Sequence, residues 1–257
     1  MRLAIYSDVH GNLTALQTVL ADIKKQAPDL VAFAGDLCLM GPRPRACLEL
    51  ARDATDTFVY GNTDEYIHSP QPVPDDASDA QREWREMFNS VARWTHDQLG
   101  PENVAWLERL PFSHRIGPTA VPSDDLLIVH ANPLDVNQVI FPTAEFQTEQ
   151  LGQVKFEQSD EDLRPLLANN NAGLIAFGHL HIPNVRRWGD TILANISSVN
   201  LPGDGDERAK YGLLTWRKGE GWTVEKRVVT YNTHQEKEVL SFIKPPHLDN
   251  LLSSMMK

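Results

Sequence analysis

LAIYSDVHGNLTALQTVLADIKKQAPDLVAFAG (residues 3–35) holds the pattern that decides the fold. It opens with a short apolar run and continues with a segment, residues 12–27, in which leucine and isoleucine recur at helical spacing. Asn12 is placed to cap that helix. A second apolar run, residues 30–35, lies after a proline and ends in a glycine, as buried strands often do. A strand, a helix and a strand in this order predict a parallel βαβ unit.

The rest of the chain continues this alternation and then departs from it. We expect a helix near 44–53 and a third strand at 57–61. A helical insert is expected at about 65–110, with helices at about 80–99 and 101–110. The second half is rich in apolar runs that predict strands at 126–130, 173–178, 191–196, 211–216 and 222–229, and a helix near 160–169 capped by Ser159.

These elements predict one large domain over residues 1–232, followed by a C-terminal tail over residues 233–257. The tail contains two consecutive prolines and ends in leucine and methionine. It is either loosely held or a contact for a partner, and the sequence leaves both open.

The composition excludes several classes of protein. Apolar residues make up 41% of the 257 positions, which is enough for a large core. The formal net charge is −11 and no basic stripe is visible, so duplex nucleic acid is not an expected partner. No apolar run has membrane-spanning length, and the start of the chain lacks a secretory signal pattern. We therefore expect a cytoplasmic protein that works away from membranes, with its oligomeric state open.

Polar side chains of the metal-ligand type stand at the ends of five expected strands. They are Asp8, His10, Asp36, Asn62, His130, His179 and His181. Because ligands of an open α/β sheet bind beyond the carboxyl ends of its strands, we expect these side chains to face one crevice. A lone Gly-Asp or Gly-Asn is more often a turn, and a lone histidine is more often structural. Their occurrence at successive strand ends is what favours a site.

The donor types indicate which metals such a crevice takes. Carboxylate and amide oxygens with imidazole nitrogens, and no sulfur, suit manganese, iron, zinc or nickel. Asp-x-His and His-x-His each place two side chains on one face of a strand end, since side chains alternate with period two. The donors exceed the needs of one ion, which favours two ions sharing a carboxylate. Such a pair clamps the attacking and leaving oxygens of a phosphoryl group.

Five short motifs resemble those of the calcineurin-like metallophosphoesterases, in the same order. They are DVHGN (8–12), GDLC (35–38), GNTD (61–64), VHANP (129–133) and GHLH (178–181). The chain is most similar to the small prokaryotic phosphodiesterase branch, which includes diadenosine-tetraphosphate hydrolases. Residues 94–111 and 181–214 resemble that branch as well. The likeness covers roughly residues 1–232.

This resemblance implies a fold, a ligand set and an activity. The fold is an α/β four-layer αββα sandwich of two mixed β-sheets flanked by helices. One ion is assigned to Asp8, His10 and His181, the other to Asn62, His130 and His179, and both to the bridging Asp36. The activity is hydrolysis of phosphodiester or phosphoanhydride bonds by a metal-activated hydroxide, with manganese expected first and iron, zinc or nickel otherwise. Asp36, Asn62 and His130 are the residues expected to carry catalysis together with that hydroxide.

Thr63 stands where many members of that family carry a histidine that assists the leaving group. A threonine hydroxyl does not titrate near neutrality, so an alkoxide leaving group lacks an acid. A nucleotide phosphate needs less help, because its last pKa is about 6. The sequence therefore predicts a preference for phosphoanhydrides and activated aryl phosphodiesters over alkyl phosphomonoesters. The expected partner is a small, nucleotide-like phosphoester. Residues 195–198 read Asn-Ile-Ser-Ser where the family often shows Asn-Pro-Gly-Ser, so the conformation of that loop is open.

Three polar candidates near the motifs each have two interpretations, and a fourth has one. Asn12 either binds substrate phosphate or only caps its helix. Arg43 and Arg45 either grip a distal phosphate or begin a solvated helix. Asp64 is expected to accept a hydrogen bond from His10 or another ligand.

Aromatic residues of the insert also have two interpretations. Trp84, Phe88 and Trp94 either stack on a nucleobase or belong to the core, as aromatic residues at helical spacing usually do.

Two other functions remain open beside the phosphodiesterase. The first is a phosphomonoesterase, including a protein phosphatase, which the threonine at position 63 disfavours. The second is a scaffold that has kept the fold and lost catalysis. All seven assigned ligand positions carry metal-competent residues, which disfavours the scaffold.

Overall fold

The computed structural model describes residues 1–249, which contain ten strands and eight α-helices. The strands are β1 (Arg2–Tyr6), β2 (Leu30–Ala34), β3 (Phe58–Val59), β4 (Ser113–Ile116), β5 (Leu126–Val129), β6 (Leu174–Phe177), β7 (Asn184–Trp188), β8 (Thr191–Asn195), β9 (Ala209–Arg217) and β10 (Gly221–Val229). The helices are α1 (Leu13–Gln26), α2 (Pro44–Ala54), α3 (Asn62–His68), α4 (Asp79–Leu99), α5 (Pro101–Leu107), α6 (Ala144–Leu151), α7 (Asp160–Leu167) and α8 (Thr233–Ile243). Among these described helices, none is both long and apolar enough to cross a bilayer.

The strands form two mixed sheets of five. In the first sheet the order is β10-β9-β1-β2-β3, with β1, β2 and β3 parallel and β9 antiparallel to both of its neighbours. In the second the order is β4-β5-β6-β8-β7, with β5, β6 and β8 parallel between two antiparallel edge strands. The βαβ unit predicted from residues 3–35 is present, and Leu3 lies opposite Leu30 in its register.

Alternation of side chains along the strands builds three apolar layers. In β1, Leu3 and Ile5 point between the sheets, while Tyr6 joins the layer under the helices. Apolar residues of α1, α2, α4 and α5 cover the outer face of the first sheet, and those of α7 cover the second. Each leucine or isoleucine buried in this way stabilises the fold by about 1.5–3 kcal/mol. The predicted four-layer αββα sandwich is thus confirmed.

The helical insert packs on the helical layer of the first sheet. α4 has 21 residues and begins with a capping box between Ser78 and Gln81. Val91 and Leu99 of α4 are buried in the outer layer of the first sheet. Pro101 begins α5, as the sequence predicted.

Four short elements were not predicted: β4, β7, α3 and α6. β4 and β7 are edge strands whose charged and exposed residues weaken the apolar pattern. α3 starts at Asn62, inside a stretch that reads as a turn. α6 is short and only weakly amphipathic, and its signal is the cap at Thr143, whose side chain accepts a hydrogen bond from the backbone N–H of Phe146.

The first half of the predicted tail is a helix that belongs to the folded body. α8 packs on α1, with Leu240 fully buried. Glu236 of the same helix is also fully buried and forms an ion pair with Arg43. Residues 233–243 are therefore not loosely held, and the reason is this buried contact with a residue almost two hundred positions away. The Leu/Met end of the tail, residues 250–257, lies outside the described residues.

Candidate metal centre

The seven predicted ligands lie at one edge of the sandwich, where the carboxyl ends of the parallel strands of both sheets meet. Asp8 and His10 follow β1, Asp36 follows β2, and Asn62 follows β3 as the first residue of α3. His130 follows β5, and His179 and His181 follow β6. Six of them form two adjacent clusters: a first cluster of Asp8, His10 and His181 and a second cluster of Asp36, His130 and His179. The seventh, Asn62, lies beside the second cluster.

The first cluster is tied together by short contacts. Nε2 of His181 lies 3.2 Å from Oδ1 of Asp8 and 3.2 Å from Nε2 of His10. The other ring nitrogen of each histidine meets a backbone carbonyl, at 3.1 Å for His10 with Leu39 and at 2.6 Å for His181 with Leu201. Because a carbonyl only accepts, Nδ1 carries the hydrogen in each neutral ring, and Nε2 is left to bind an ion.

The second cluster is built in the same way. Nε2 of His130 lies 3.5 Å from Oδ2 of Asp36 and 3.0 Å from Oδ1 of Asn62. Its Nδ1 meets the carbonyl of Ala34 at 2.9 Å. His179 is reversed, since its Nε2 meets the carbonyl of Asn137 at 2.9 Å. In a neutral ring this leaves Nδ1 of His179 without a hydrogen, so its lone pair is free to bind an ion.

Two contacts in these clusters join groups that both carry lone pairs. Nε2 of His10 faces Nε2 of His181, and Nε2 of His130 faces Oδ1 of Asn62. When the rings are neutral, with their hydrogens on the opposite nitrogens, neither contact has a hydrogen between its atoms, and a cation, either a proton or a metal ion, is what would make both favourable. Oxygen and imidazole donors without sulfur suit a divalent transition metal. The residues therefore fit the metal ions that the resemblance implied.

Burial and charge act against each other on the titrating ligands. Burial alone would raise the pKa of Asp36, but the neighbouring His130 and His10 outweigh it and hold that pKa below its usual range. Burial alone would lower the pKa of His130, but Asp36 and its hydrogen bond raise that pKa to about 9. Burial lowers the pKa of His10 and of His179. These shifts favour an ionised Asp36 beside imidazoles that bind a proton or a metal ion.

The backbone at the ligands is strained. Five ligand positions have left-handed φ angles: Asp8 (56°), His10 (45°), Asp36 (65°), His179 (67°) and His181 (60°). Non-glycine residues seldom adopt this conformation, and its concentration at one site is typical of functional residues. Close approach of the backbone adds to the constraint, because a Cβ atom at Gly178 would lie 2.3 Å from Oδ2 of Asp8.

Asp64 supports the centre through the backbone. Its carboxylate accepts hydrogen bonds from the N–H groups of Asp36 at 2.8 Å, Leu37 at 2.9 Å and Gly61 at 3.0 Å. Burial, together with the charge of Asp36, raises its pKa to about 6. The sequence predicted a hydrogen bond from His10 or another ligand, and the structure has the second alternative, because the ligand Asp36 donates its backbone N–H to Asp64.

Two supporting residues were missed by the sequence analysis. Ser7 donates to Oδ2 of Asp8 at 2.6 Å. Asn195 donates to the carbonyl of Gly178 at 2.7 Å and accepts from the hydroxyl of Ser197 at 2.7 Å, which ties the loop whose conformation was open to the strand end carrying His179. The only available signal was that both are polar residues at the end of an apolar strand.

Asn12 is fully buried in the structure. Its side chain accepts from the backbone N–H of Ala15 at 2.9 Å, as a helix cap does. Its amide donates to Asn200 at 3.0 Å and to the Tyr231 hydroxyl at 3.3 Å. These partners occupy both ends of the amide, so the structure favours the cap over the predicted contact with substrate phosphate.

The two candidate phosphate-binding arginines are engaged by carboxylates of the chain itself. Arg43 forms an ion pair with the buried Glu236 and donates to the hydroxyl of Thr14 at 2.7 Å. Arg45 pairs with Glu49 one turn along α2, at 2.9 Å, and both are well exposed. A role in binding phosphate therefore requires Arg43 to exchange a partner, which its internal ion pair disfavours. For Arg45 that role stays a prediction.

A family model for calcineurin-like phosphoesterases matches residues 1–183, more than half of the chain. The chain belongs to the calcineurin-like phosphoesterase family. Together with the His/Asp clusters, this membership makes it a metal-dependent phosphoesterase.

One sequence relative and two solved structures are similar to this chain over most of its length. An uncharacterised protein of Methanocaldococcus jannaschii is 27% identical over 228 residues, which is 82% of either chain. A metallophosphoesterase from Sphaerobacter thermophilus has a TM-score of 0.70 at 24% identity, covering 100% of this chain and 98% of that one. A hypothetical protein from Pyrococcus horikoshii OT3 has a TM-score of 0.76 at 15% identity, covering 99% and 97%. The two solved structures share the fold over nearly the whole length.

Proposed function

We propose that the protein is a dinuclear-metal phosphoesterase that hydrolyses phosphodiester or phosphoanhydride bonds in small, nucleotide-like substrates. The observation that carries this proposal is the position of Asp36. Its Oδ2 lies 3.7 Å from Nε2 of His10, in the first cluster, and 3.5 Å from Nε2 of His130, in the second. One carboxylate oxygen faces both clusters, which supports two ions that share a ligand.

The ligand assignment follows these two clusters. Asp8, His10 and His181 would hold one ion, Asn62, His130 and His179 the other, and Asp36 both. We propose manganese first, and iron, zinc or nickel share its preference for these donors. Two such ions, when bound, lower the pKa of water and withdraw charge from phosphoryl oxygens.

The chain's own part in the reaction is to hold this donor set rigid. A backbone carbonyl fixes the orientation of each of the four imidazoles. The N–H of Thr63 donates to Oδ1 of Asp36 at 2.9 Å, which leaves Oδ2 to face the ions. We assign Asp36, Asn62 and His130 as catalytic residues in this sense, because their donor atoms converge within the second cluster.

The preferred substrates follow from Thr63. Its side chain is 4% exposed, and its hydroxyl has no hydrogen-bond partner among the described residues. A buried hydroxyl that does not titrate near neutrality cannot serve as the acid for a departing alkoxide. We therefore propose phosphoanhydrides and activated aryl diesters as substrates ahead of alkyl phosphomonoesters.

A series of aryl phosphodiesters with substituted leaving groups tests this preference. We expect the rate of hydrolysis to fall steeply as the pKa of the leaving phenol rises, since the site offers no proton to it. A rate that does not change with that pKa, under conditions where the chemical step limits turnover, would contradict the preference.

Metal analysis and an activity panel test the function as a whole. After loading with manganese we expect about two ions per chain. We also expect hydrolysis of bis-p-nitrophenyl phosphate and diadenosine tetraphosphate ahead of p-nitrophenyl phosphate. Asp36→Asn should lower both metal content and activity, whereas Asp97→Asn, whose side chain is 80% exposed on α4, should change neither. A chain that binds no metal under these conditions is a scaffold.

We further propose that the protein works in the cytoplasm, as the sequence predicted. Cys38 and Cys47 are both free and buried, which is compatible with a reducing compartment.

A further inference from the structure

Three aromatic side chains of the insert form a continuous row. The rings of Tyr66 and Phe88 meet edge to face with centroids 5.7 Å apart. The rings of Phe88 and Trp84 are stacked, 4.8 Å apart and tilted by 25°. The row therefore runs from α3, the helix that begins with Asn62, to the N-terminal part of α4.

The inner end of this row is joined to the metal centre by hydrogen bonds. The hydroxyl of Tyr66 donates to Oδ1 of Asn137 at 2.9 Å. The carbonyl of the same Asn137 meets Nε2 of His179 at 2.9 Å. Asn137 is exposed, and His179 and Asn62 are both partly open to solvent. Tyr66 thus places the inner end of the row beside the solvent-accessible side of the second cluster.

The outer end of the row is not part of the core. Tyr66 and Phe88 are partly buried against the apolar layer between the first sheet and its helices, whereas Trp84 is 48% exposed. The core interpretation of the sequence thus holds for Phe88 and fails for Trp84. An indole left half in solvent, with one face stacked on another ring, is typical of a surface that binds a planar partner.

Charge and space beside Trp84 suit an anionic, ring-bearing ligand. The guanidinium of Arg85 lies 5.3 Å from the centre of the Trp84 ring. No carboxylate pairs with Arg85 in the part of the chain that the structure describes. A cavity of about 450 Å³ borders both residues, between the start of α4 and the loop before it. In a chain of net charge −11, Arg85 brings a positive charge to the exposed ring, and Asp76 is the one carboxylate among the described residues that border the cavity.

We propose that Trp84, supported by Phe88 and Tyr66 and flanked by Arg85, is the subsite for the nucleobase of the substrate, with the phosphate at the metal centre. This inference rests on the proposed function for the position of the phosphate and adds the part that recognises the organic group. Stacking on an indole does not depend on the identity of the base, so the subsite selects nucleotides over other phosphoesters without selecting among bases.

A matched pair of ligands separates the ring from the phosphate. Adenosine 5′-monophosphate and ribose 5-phosphate differ only by the base, and both are titrated calorimetrically into manganese-loaded protein. We expect the nucleotide to bind about ten-fold more tightly, as one stacked base does. In Trp84→Ala that preference should vanish while the affinity for ribose 5-phosphate stays the same. Trp84→Phe should restore most of it.

The control is Phe242→Ala, which removes an aromatic ring that is 87% exposed on α8 and should change neither affinity. Equal affinities for the two ligands in the wild-type protein would overturn the subsite. A ring preference that survives Trp84→Ala would overturn it too, as would a Trp84→Ala variant that changes only the oligomeric state.

Binding does not depend on turnover, so the two proposals fail separately. Equal affinities for the two ligands in a wild-type protein that hydrolyses bis-p-nitrophenyl phosphate normally refute the subsite alone. A ring preference lost in Trp84→Ala, in a protein that hydrolyses none of the panel, supports the subsite and refutes the proposed function.

Discussion

At the residue scale, the carboxylate of Asp64 holds together the two loops that carry Asp36 and Asn62. Three backbone N–H groups converge on it, and they have no other acceptor in the described structure. Asp64 does not need to touch a metal ion to control where the ions lie. Its position two residues after Asn62 is what allows α3 to begin at a metal ligand.

Replacing Asp64 by asparagine tests this role. One of its oxygens becomes an NH₂ group that faces backbone donors, so the free energy of unfolding should fall by about 1–3 kcal/mol. Affinity for manganese should fall with it. Denaturant unfolding and metal titration measure the two effects, and Asp97→Asn on the exposed face of α4 is the matched control. Unchanged metal affinity would show that the loops keep their place without this carboxylate.

His130 gives the metal-free protein a defined response to pH. Its pKa is raised from 6.5 to about 9 by Asp36, against the effect of burial. Between these values the folded chain holds a proton that the unfolded chain has lost, so the free energy of unfolding falls as pH rises through this range. Thermal unfolding in the presence of a chelator, at pH 6.5 and pH 9, measures the effect.

His130→Gln provides the comparison, because it removes the titrating group and should flatten this part of the pH dependence. A melting temperature of the metal-free protein that rises between the two pH values would contradict the assignment.

At the scale of elements, α8 fixes the position of the loop that follows the GDLC motif (35–38). Leu240 is fully buried against the helical layer, and Glu236 meets Arg43 and the N–H of Thr14 at the start of α1. The carboxylate of Glu236 thus pairs with Arg43 in the loop that follows β2 of the first sheet. Removing either charge alone would leave the other buried without a partner.

Leu240→Ala measures how much this helix contributes. Truncating a fully buried leucine should lower the free energy of unfolding by about 2–5 kcal/mol. Phe242→Ala, two residues further on and 87% exposed, should change it by less than about 0.5 kcal/mol. Equal effects of the two substitutions in denaturant unfolding would mean that α8 detaches readily from α1.

The elements also show what the sequence could predict. The βαβ unit and the clustering of the candidate ligands could be predicted, because an apolar run that ends in Asp, Asn or His indicates both a buried strand and a metal-ligand side chain at its end. α8 could not, since its stability comes from the pairing of Glu236 with Arg43, 193 positions apart. The same holds for Asn12, whose neighbours Asn200 and Tyr231 are brought to it only by the fold. Trp84 and Phe88 share a helical stripe, and only the structure separates the exposed ring from the buried one.

At the scale of the whole molecule, the metal centre joins the two sheets. Four assigned ligands, Asp8, His10, Asp36 and Asn62, follow strands of the first sheet, and three, His130, His179 and His181, follow strands of the second. Each of the two clusters draws on both sheets. Neither sheet alone can therefore offer a complete set of donors.

Removal of the ions should weaken the whole domain for this reason. An ion present at a hundred times its dissociation constant stabilises the folded state by about 2.7 kcal/mol. We expect chelation to lower the melting temperature of the whole chain in one transition. Two transitions would show that the sheets unfold separately, and no change would show that the ions bind without linking them.

The division of ligands between the sheets also sets the order of events during folding. A complete set of donors forms only after the sheets have packed, so we expect the ions to bind after that step. They should leave the folding rate unchanged and slow unfolding, as interactions absent from the transition state do. We therefore expect the polypeptide to determine how fast the native chain forms, and bound ions to determine how long it lasts.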